Sequence, residues 1–223
     1  MRENCDNMPD MGFNPAKDRD LYLGDVTPEA IEELIKNINM INKYEGEIFE
    51  QDALLFQTIA DKRDINIAEL QMLAGKIEPI TLHINSFGGS VYDCFSLISI
   101  IKNSITPIQA QIHYAMSAGA LIASVCHYRI GYELSTIMIH NLSSASWGQL
   151  GTMREDVKQC EVLEKKIIDI LVNHTKIKKD KLKQVFREKS DWYLDADEAL
   201  ELGIFDEIYE RHVEQNIEEE KAE

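Results

Sequence analysis

Ser117 stands in the run AMSAGALIASV (residues 115–125), where an apolar stretch of strand character, Ile108 to Tyr114, passes into small residues of helical type. A serine at a helix N-terminus lies beside backbone N–H groups without an intrahelical acceptor, and such donors stabilise an oxyanion. The chemistry on offer is nucleophilic acyl transfer. The rival role is plain N-capping, which is what most serines at such a junction do.

Two further segments tip the balance toward chemistry. In ITLHINSFGGSV (residues 80–91), Ile80, Leu82 and Ile84 alternate as a strand does before Gly88-Gly89-Ser90 open a helical pattern. A glycine pair there allows unusual dihedrals and brings backbone N–H groups close to a ligand. In STIMIHN, the apolar strand Ile137-Met138-Ile139 delivers His140 at its C-terminal end, where layered α/β folds present functional groups. Farther on, Asp191 lies in an aromatic and apolar setting between two helical segments. Taken singly these are ordinary residues: turn glycines, a hydrogen-bonded histidine, a capping aspartate.

In one chain and in this order, the segments resemble the Clp protease proteolytic subunit (ClpP) family of serine peptidases. INSFGGSV is similar to that family's INSPGGSV, AMSAGA to its AASMGA, IMIHN to its MIHQP, and LDADEALELGIFDEI to its C-terminal motif. The resemblance implies Ser117 as nucleophile, His140 as base and Asp191 as the acid that orients it, with the N–H groups of Gly89 and Ala118 as oxyanion donors. It also implies a homo-oligomer of heptameric rings stacked as a tetradecamer, an ATP-driven unfoldase as partner, and peptides or unfolded proteins as substrates. The chain departs from the family pattern at Phe87 (for proline), His113-Tyr114 (for Gly-Gln) and Asn141-Leu142 (for Gln-Pro). In the stretch SSASWGQLG, Gly148-Gln149 best retain the family's peptide-binding, ring-joining strand.

The elements needed to position these groups are legible as periodicity. Thr27-Pro28-Glu29 supply a cap, a proline at the first helical position and an early acid, and Ile31, Leu34, Ile35, Ile38 and Ile41 follow at helical spacing. Val91, Phe95, Ile98 and Ile101 mark a second helix. Val157, Cys160, Leu163, Ile167, Ile170 and Leu171 mark a long amphipathic one from about Thr152 to His174. Asp195 and Glu198 form a capping box ahead of a last helix that ends at Gly203, before an apolar strand from Ile204 to Tyr209. These repeats suggest an α/β fold, the ClpP/crotonase-like spiral of repeated β-β-α units. The expected organisation is a flexible segment over 1–20, one peptidase domain over 21–210 and an acidic tail over 211–223. Inside the domain, some 30 residues from about Tyr44 to Lys76 are extra to the family pattern; their apolar stripes suggest an additional helical pair or lid packed on its own subunit, and the alternative is an altered surface for a partner.

Composition narrows the remaining choices. A formal charge of -16 disfavours nucleic acid as a partner, because phosphate binding requires clustered Lys and Arg. Cys5, Cys94, Cys126 and Cys160 are scattered without metal spacing, and His83, His113, His127, His174 and His212 show no H-x-x-x-H pattern, so no metal or other cofactor is expected. Free thiols, the lack of a signal-like start and the lack of an apolar run of about 18 residues point to a cytoplasmic protein with no membrane partner. There is no G-x-x-x-x-G-K-[ST] loop, so ATP hydrolysis belongs to another polypeptide. Three other functions stay open at this level: a capsid-maturation protease of the phage type, a noncatalytic ring subunit, and a crotonase-type acyl-CoA enzyme.

Overall fold

The computed structural model describes residues 13–63, 78–188 and 190–209. In chain order these form β1 (Asp20–Leu23), α1 (Pro28–Arg63), β2 (Ile80–Ser86), α2 (Val91–Asn103), β3 (Ile108–Met116) and α3 (Ala118–Val125). There follow β4 (Tyr128–Ile139), α4 (Leu150–His174), α5 (Lys179–Glu188), β5 (Trp192–Leu194), α6 (Ala196–Glu201) and β6 (Glu207–Ile208). The sheet runs β1-β2-β3-β4-β5, with β6 also paired to β4. Strands β1 to β4 are mutually parallel, β6 is parallel to β4, and only β5 is antiparallel. The α/β class expected from the sequence is what the chain adopts.

Strand alternation decides which side of the sheet is covered. Ile80, Leu82, Ile84 and Ser86 of β2 point into the core, as do Ile108, Ala110 and Ile112 of β3. Helices α1, α2 and α3 close over that face with Ile31, Leu34, Ile38, Ile41, Leu97 and Ile101. Burying such a side chain contributes roughly 1.5–3 kcal/mol, so this layer is the main stabilising unit. Helix α3 is buried along its whole length, and its small residues make that possible. A Cβ on Gly119 would lie 2.9 Å from Cβ of Ser86.

Strand β4 does two jobs. Its first part pairs with β3 as far as Ile112↔Gly131, and pairing resumes at Tyr114↔Thr136, so Tyr132 to Ser135 form an excursion opposite His113. Ser135 closes it: its hydroxyl donates to Ile112 O (2.6 Å) and accepts from Tyr132 N–H (2.7 Å). After the excursion, Ile137–Ile139 run between β3 and β5, which fixes where His140 emerges.

The structure refines several features read from the sequence. The extra segment does not open as a separate helix: α1 runs unbroken through 36 residues, about 54 Å at 1.5 Å per residue, and includes the first part of that segment. The apolar stripe of α4 is covered only in its C-terminal half, where Leu163, Ile167, Ile168 and Leu171 are buried, whereas Val157 is exposed. The segment Ser143–Gln149 has no strand pairing in the single chain, and the strand expected over Ile204–Tyr209 is reduced to Glu207–Ile208. The capping box is present as expected, with Asp195 accepting from Glu198 N–H and the Glu198 carboxylate accepting from Asp195 N–H. Expectations for residues 1–12, 64–77 and 210–223, the acidic tail and His212 among them, lie outside the described residues. Among the described residues no helix is long and apolar enough to cross a membrane.

Candidate active site

Ser117 occupies the one-residue turn between β3 and α3, with φ 54° and ψ -119°, the single non-glycine residue with positive φ among those described. Such a conformation costs on the order of 1–3 kcal/mol and persists only where neighbours hold it. Here they do. Ser117 N–H donates to Met138 O (2.8 Å), and its carbonyl accepts from Ala120 and Leu121 N–H (3.1 and 3.3 Å).

That geometry separates the two roles open to the serine. Its side chain makes no capping hydrogen bond to α3. Instead Ser117 Oγ lies 2.7 Å from Nε2 of His140, a residue 23 positions away and one step past the end of β4. Parallel pairing of Met116 with Met138 accounts for the approach, because the two chain ends leave the sheet side by side.

The glycine pair lies against the same turn. A Cβ on Gly88 would fall 2.8 Å from Cβ of Ser117, and one on Gly89 would fall 2.3 Å from Val26 O, so neither position accepts a side chain. Their φ values, 99° and 145°, are in the region that glycine alone adopts readily. The link to the end of β1 is made by Val26 N–H to Gly88 O (2.7 Å) and Ser90 N–H to Val26 O (2.9 Å). Gly89 N–H takes no part in that bridge, and Ala118 N–H, at the first position of α3, has no intrahelical acceptor. Both residues line a groove of about 490 Å³ together with Ser117 and His140.

Asp191 is brought near without being engaged. The antiparallel pairs Ile137↔Leu194, Met138↔Tyr193 and Ile139↔Trp192 put Asp191 opposite His140 at the next step of the register. Asp191 is exposed, and among the described residues it makes no hydrogen bond or ion pair with His140.

The apolar lining of the groove carries no signal in the sequence. Val91, Leu121, Leu142, Ile167 and Leu171 line it, yet in the sequence they are ordinary apolar positions of helical or loop segments. Asn141 also lines it and donates through Nδ2 to Phe186 O (3.4 Å), at the C-terminal end of α5. Cys94 lies underneath, its thiol 3.5 Å from Ala118 O, and burial pushes its pKa up to about 12. At neutral pH it is therefore a protonated thiol and no rival nucleophile.

A hydroxyl bonded to an imidazole at a strained strand–helix turn, in a groove also lined by Gly89 and Ala118, is an arrangement able to support nucleophilic attack on a carbonyl. Residues 37–212, most of the chain, match the Clp protease family, and the chain belongs to it. By that membership it is a protease. Similar curated proteins are the ATP-dependent Clp protease proteolytic subunits of Bacteroides thetaiotaomicron (25% identical over 193 residues, 83% of this chain and 86% of that protein) and Bacteroides fragilis (24% over 193 residues, 83% and 91%). That of Porphyromonas gingivalis is 24% identical over 195 residues, covering 84% and 86%.

Proposed function

We propose that this Clp-family chain is a serine endopeptidase, and that the Ser117–His140 hydrogen bond of 2.7 Å is the observation that carries the assignment. His140 Nε2 accepts the Ser117 proton as Oγ attacks a peptide carbonyl. The Gly89 and Ala118 N–H groups receive the developing oxyanion, each donor worth roughly 3–4 kcal/mol in sites of this kind. The protonated imidazole then gives its proton to the leaving amine, and water resolves the acyl-enzyme by the same steps in reverse order. Asp191 is the candidate for the third role, holding the Nδ1–H tautomer of His140, and its register opposite the histidine supports that assignment.

The expected result with a fluorophosphonate probe is one adduct on the intact chain and none on Ser117→Ala. Mass spectrometry of both proteins reads the outcome. Equal labelling of the variant would remove Ser117 as the nucleophile.

The same proposal includes a homo-oligomeric chamber of stacked heptameric rings. Its support is the uncovered stripe on the N-terminal half of α4, where Leu150 and Val157 are 65% and 57% exposed beside an exposed Trp147. Apolar side chains at helical spacing, standing clear of the core, call for a partner surface. The curated relatives are named as ATP-dependent subunits, and a separate ATPase that unfolds substrates is accordingly the proposed partner. A single peptidase domain over 21–210 and a cytoplasmic location complete the reading, the latter from the bacterial Clp relatives.

A further inference from the structure

Phe87 is a large apolar side chain left 64% exposed just past the end of β2, two residues before Gly89 of the groove lining. It lines the groove itself. Its ring is not loose: it packs against Tyr114 at a centroid distance of 4.9 Å and a tilt of 44°. The backbone on either side is also held, by Phe87 N–H to Asp25 Oδ1 (3.2 Å) and Val26 N–H to Gly88 O (2.7 Å). Phe87 and Tyr114, both departures from the family motif, lie 27 positions apart in the sequence. In three dimensions they form one aromatic pair.

Gly89 lies between Phe87 on one side and Val91, at the start of α2, on the other. Val91 lines the groove with the apolar Leu121, Leu142, Ile167 and Leu171, and Phe87 lines it from the other side of Gly89 along the chain. A carbonyl held by Gly89 and Ala118 would have aliphatic side chains toward Val91 and the aromatic pair toward Phe87. No lining residue carries a formal charge apart from a protonated His140, so nothing there compensates a charged side chain.

We propose that Phe87, braced by Tyr114, is a specificity-determining residue that selects an aromatic side chain on the leaving-group side of the scissile bond. The inference rests on the peptidase reading above. A preset ring adds edge-to-face or offset-stacked contact that a small side chain cannot make, a preference of about three- to tenfold. Because the ring is fixed beforehand, little ordering cost offsets that contact on binding.

Internally quenched peptides that share one acyl-side residue and carry Phe, Ala or Asp immediately after the scissile bond test it on the full chain. Wild type is expected to show kcat/KM higher for Phe than for Ala by that factor, with Asp poorest. Phe87→Ala should bring the Phe:Ala ratio close to one, and Tyr114→Ala should lower it in the same direction. A second peptide series, varied only on the acyl side, should keep its order of preference in both variants. Mass spectrometry of the products confirms the bond cut. Wild-type cleavage with a Phe:Ala ratio that Phe87→Ala leaves unchanged overturns the inference and leaves the peptidase reading intact. Equal changes in both peptide series would mean general damage to the groove and also overturn it. No cleavage of any peptide by wild type, together with no probe labelling, overturns the peptidase reading and this inference with it.

Discussion

At Ser117 a hydroxyl is held in a backbone conformation that only glycine adopts without strain, and the strain has a measurable consequence. Ser117→Gly and Ser117→Ala both remove the hydroxyl, but only the glycine variant relaxes the turn. Chemical denaturation should find the glycine variant more stable than the alanine variant by about 1 kcal/mol, and a difference of zero or of opposite sign would remove the claim of strain. Gly88 is constrained from the other side, since Gly88→Ala drives a methyl group against Ser117 and the Met116 carbonyl. Asp191 tests the third role. If it orients His140 during turnover, Asp191→Asn should lower kcat by on the order of 10³–10⁴ with little change in KM. A variant that keeps more than a tenth of wild-type kcat would mean that Ser117 and His140 act as a pair, with Asp191 an ordinary surface carboxylate.

Among the elements, α4 is divided between a packed C-terminal half and a projecting N-terminal half. At its packed end, burial first, then the cations Lys102 and Arg129, push the His174 pKa below its ordinary value. The folded state thus holds this proton less tightly than the unfolded chain, so the residue lowers stability as pH falls below the unfolded pKa of about 6.5. Denaturation of His174→Gln between pH 7.5 and 5 should show a shallower loss of stability on acidification than wild type. An unchanged slope would mean that His174 is not coupled to folding. The capping box on α6 offers a cleaner local test. Asp195→Ala removes the acceptor for Glu198 N–H and should cost about 1 kcal/mol.

For the whole molecule, the uneven cover of the apolar surface is the main feature. One face of the sheet is closed by helices, while exposed Tyr22, Leu134 and Tyr209 and the α4 stripe remain open in a single chain. Placing charge on that stripe, as in Leu150→Glu with Val157→Glu, should leave the fold intact because neither side chain belongs to the core. Native mass measurement should then show a shift to smaller species than the wild-type assembly. An assembly of unchanged mass would eliminate this face as the contact.

Local chemistry written along the chain was enough for several of these features. Alternation in Ile80–Ile84 and helical spacing from Ile31 to Ile41 follow from burial on one side, and the Asp195–Glu198 box follows from hydrogen bonds that span three residues. The residue types at 89, 117, 118, 140 and 191 were legible because motif and order are properties of the chain itself. Other questions depended on partners distant in sequence. Whether Ser117 caps its helix or bonds His140, and whether Phe87 finds Tyr114, are decided by strand register, because it sets which ends of different strands meet. Periodicity marks a face of α4 without saying how far the core extends beneath it, and nothing in residues 44–63 shows that α1 continues unbroken. For α4 tertiary packing decides the point, since burial is a relation between elements and cannot be assigned to one of them alone.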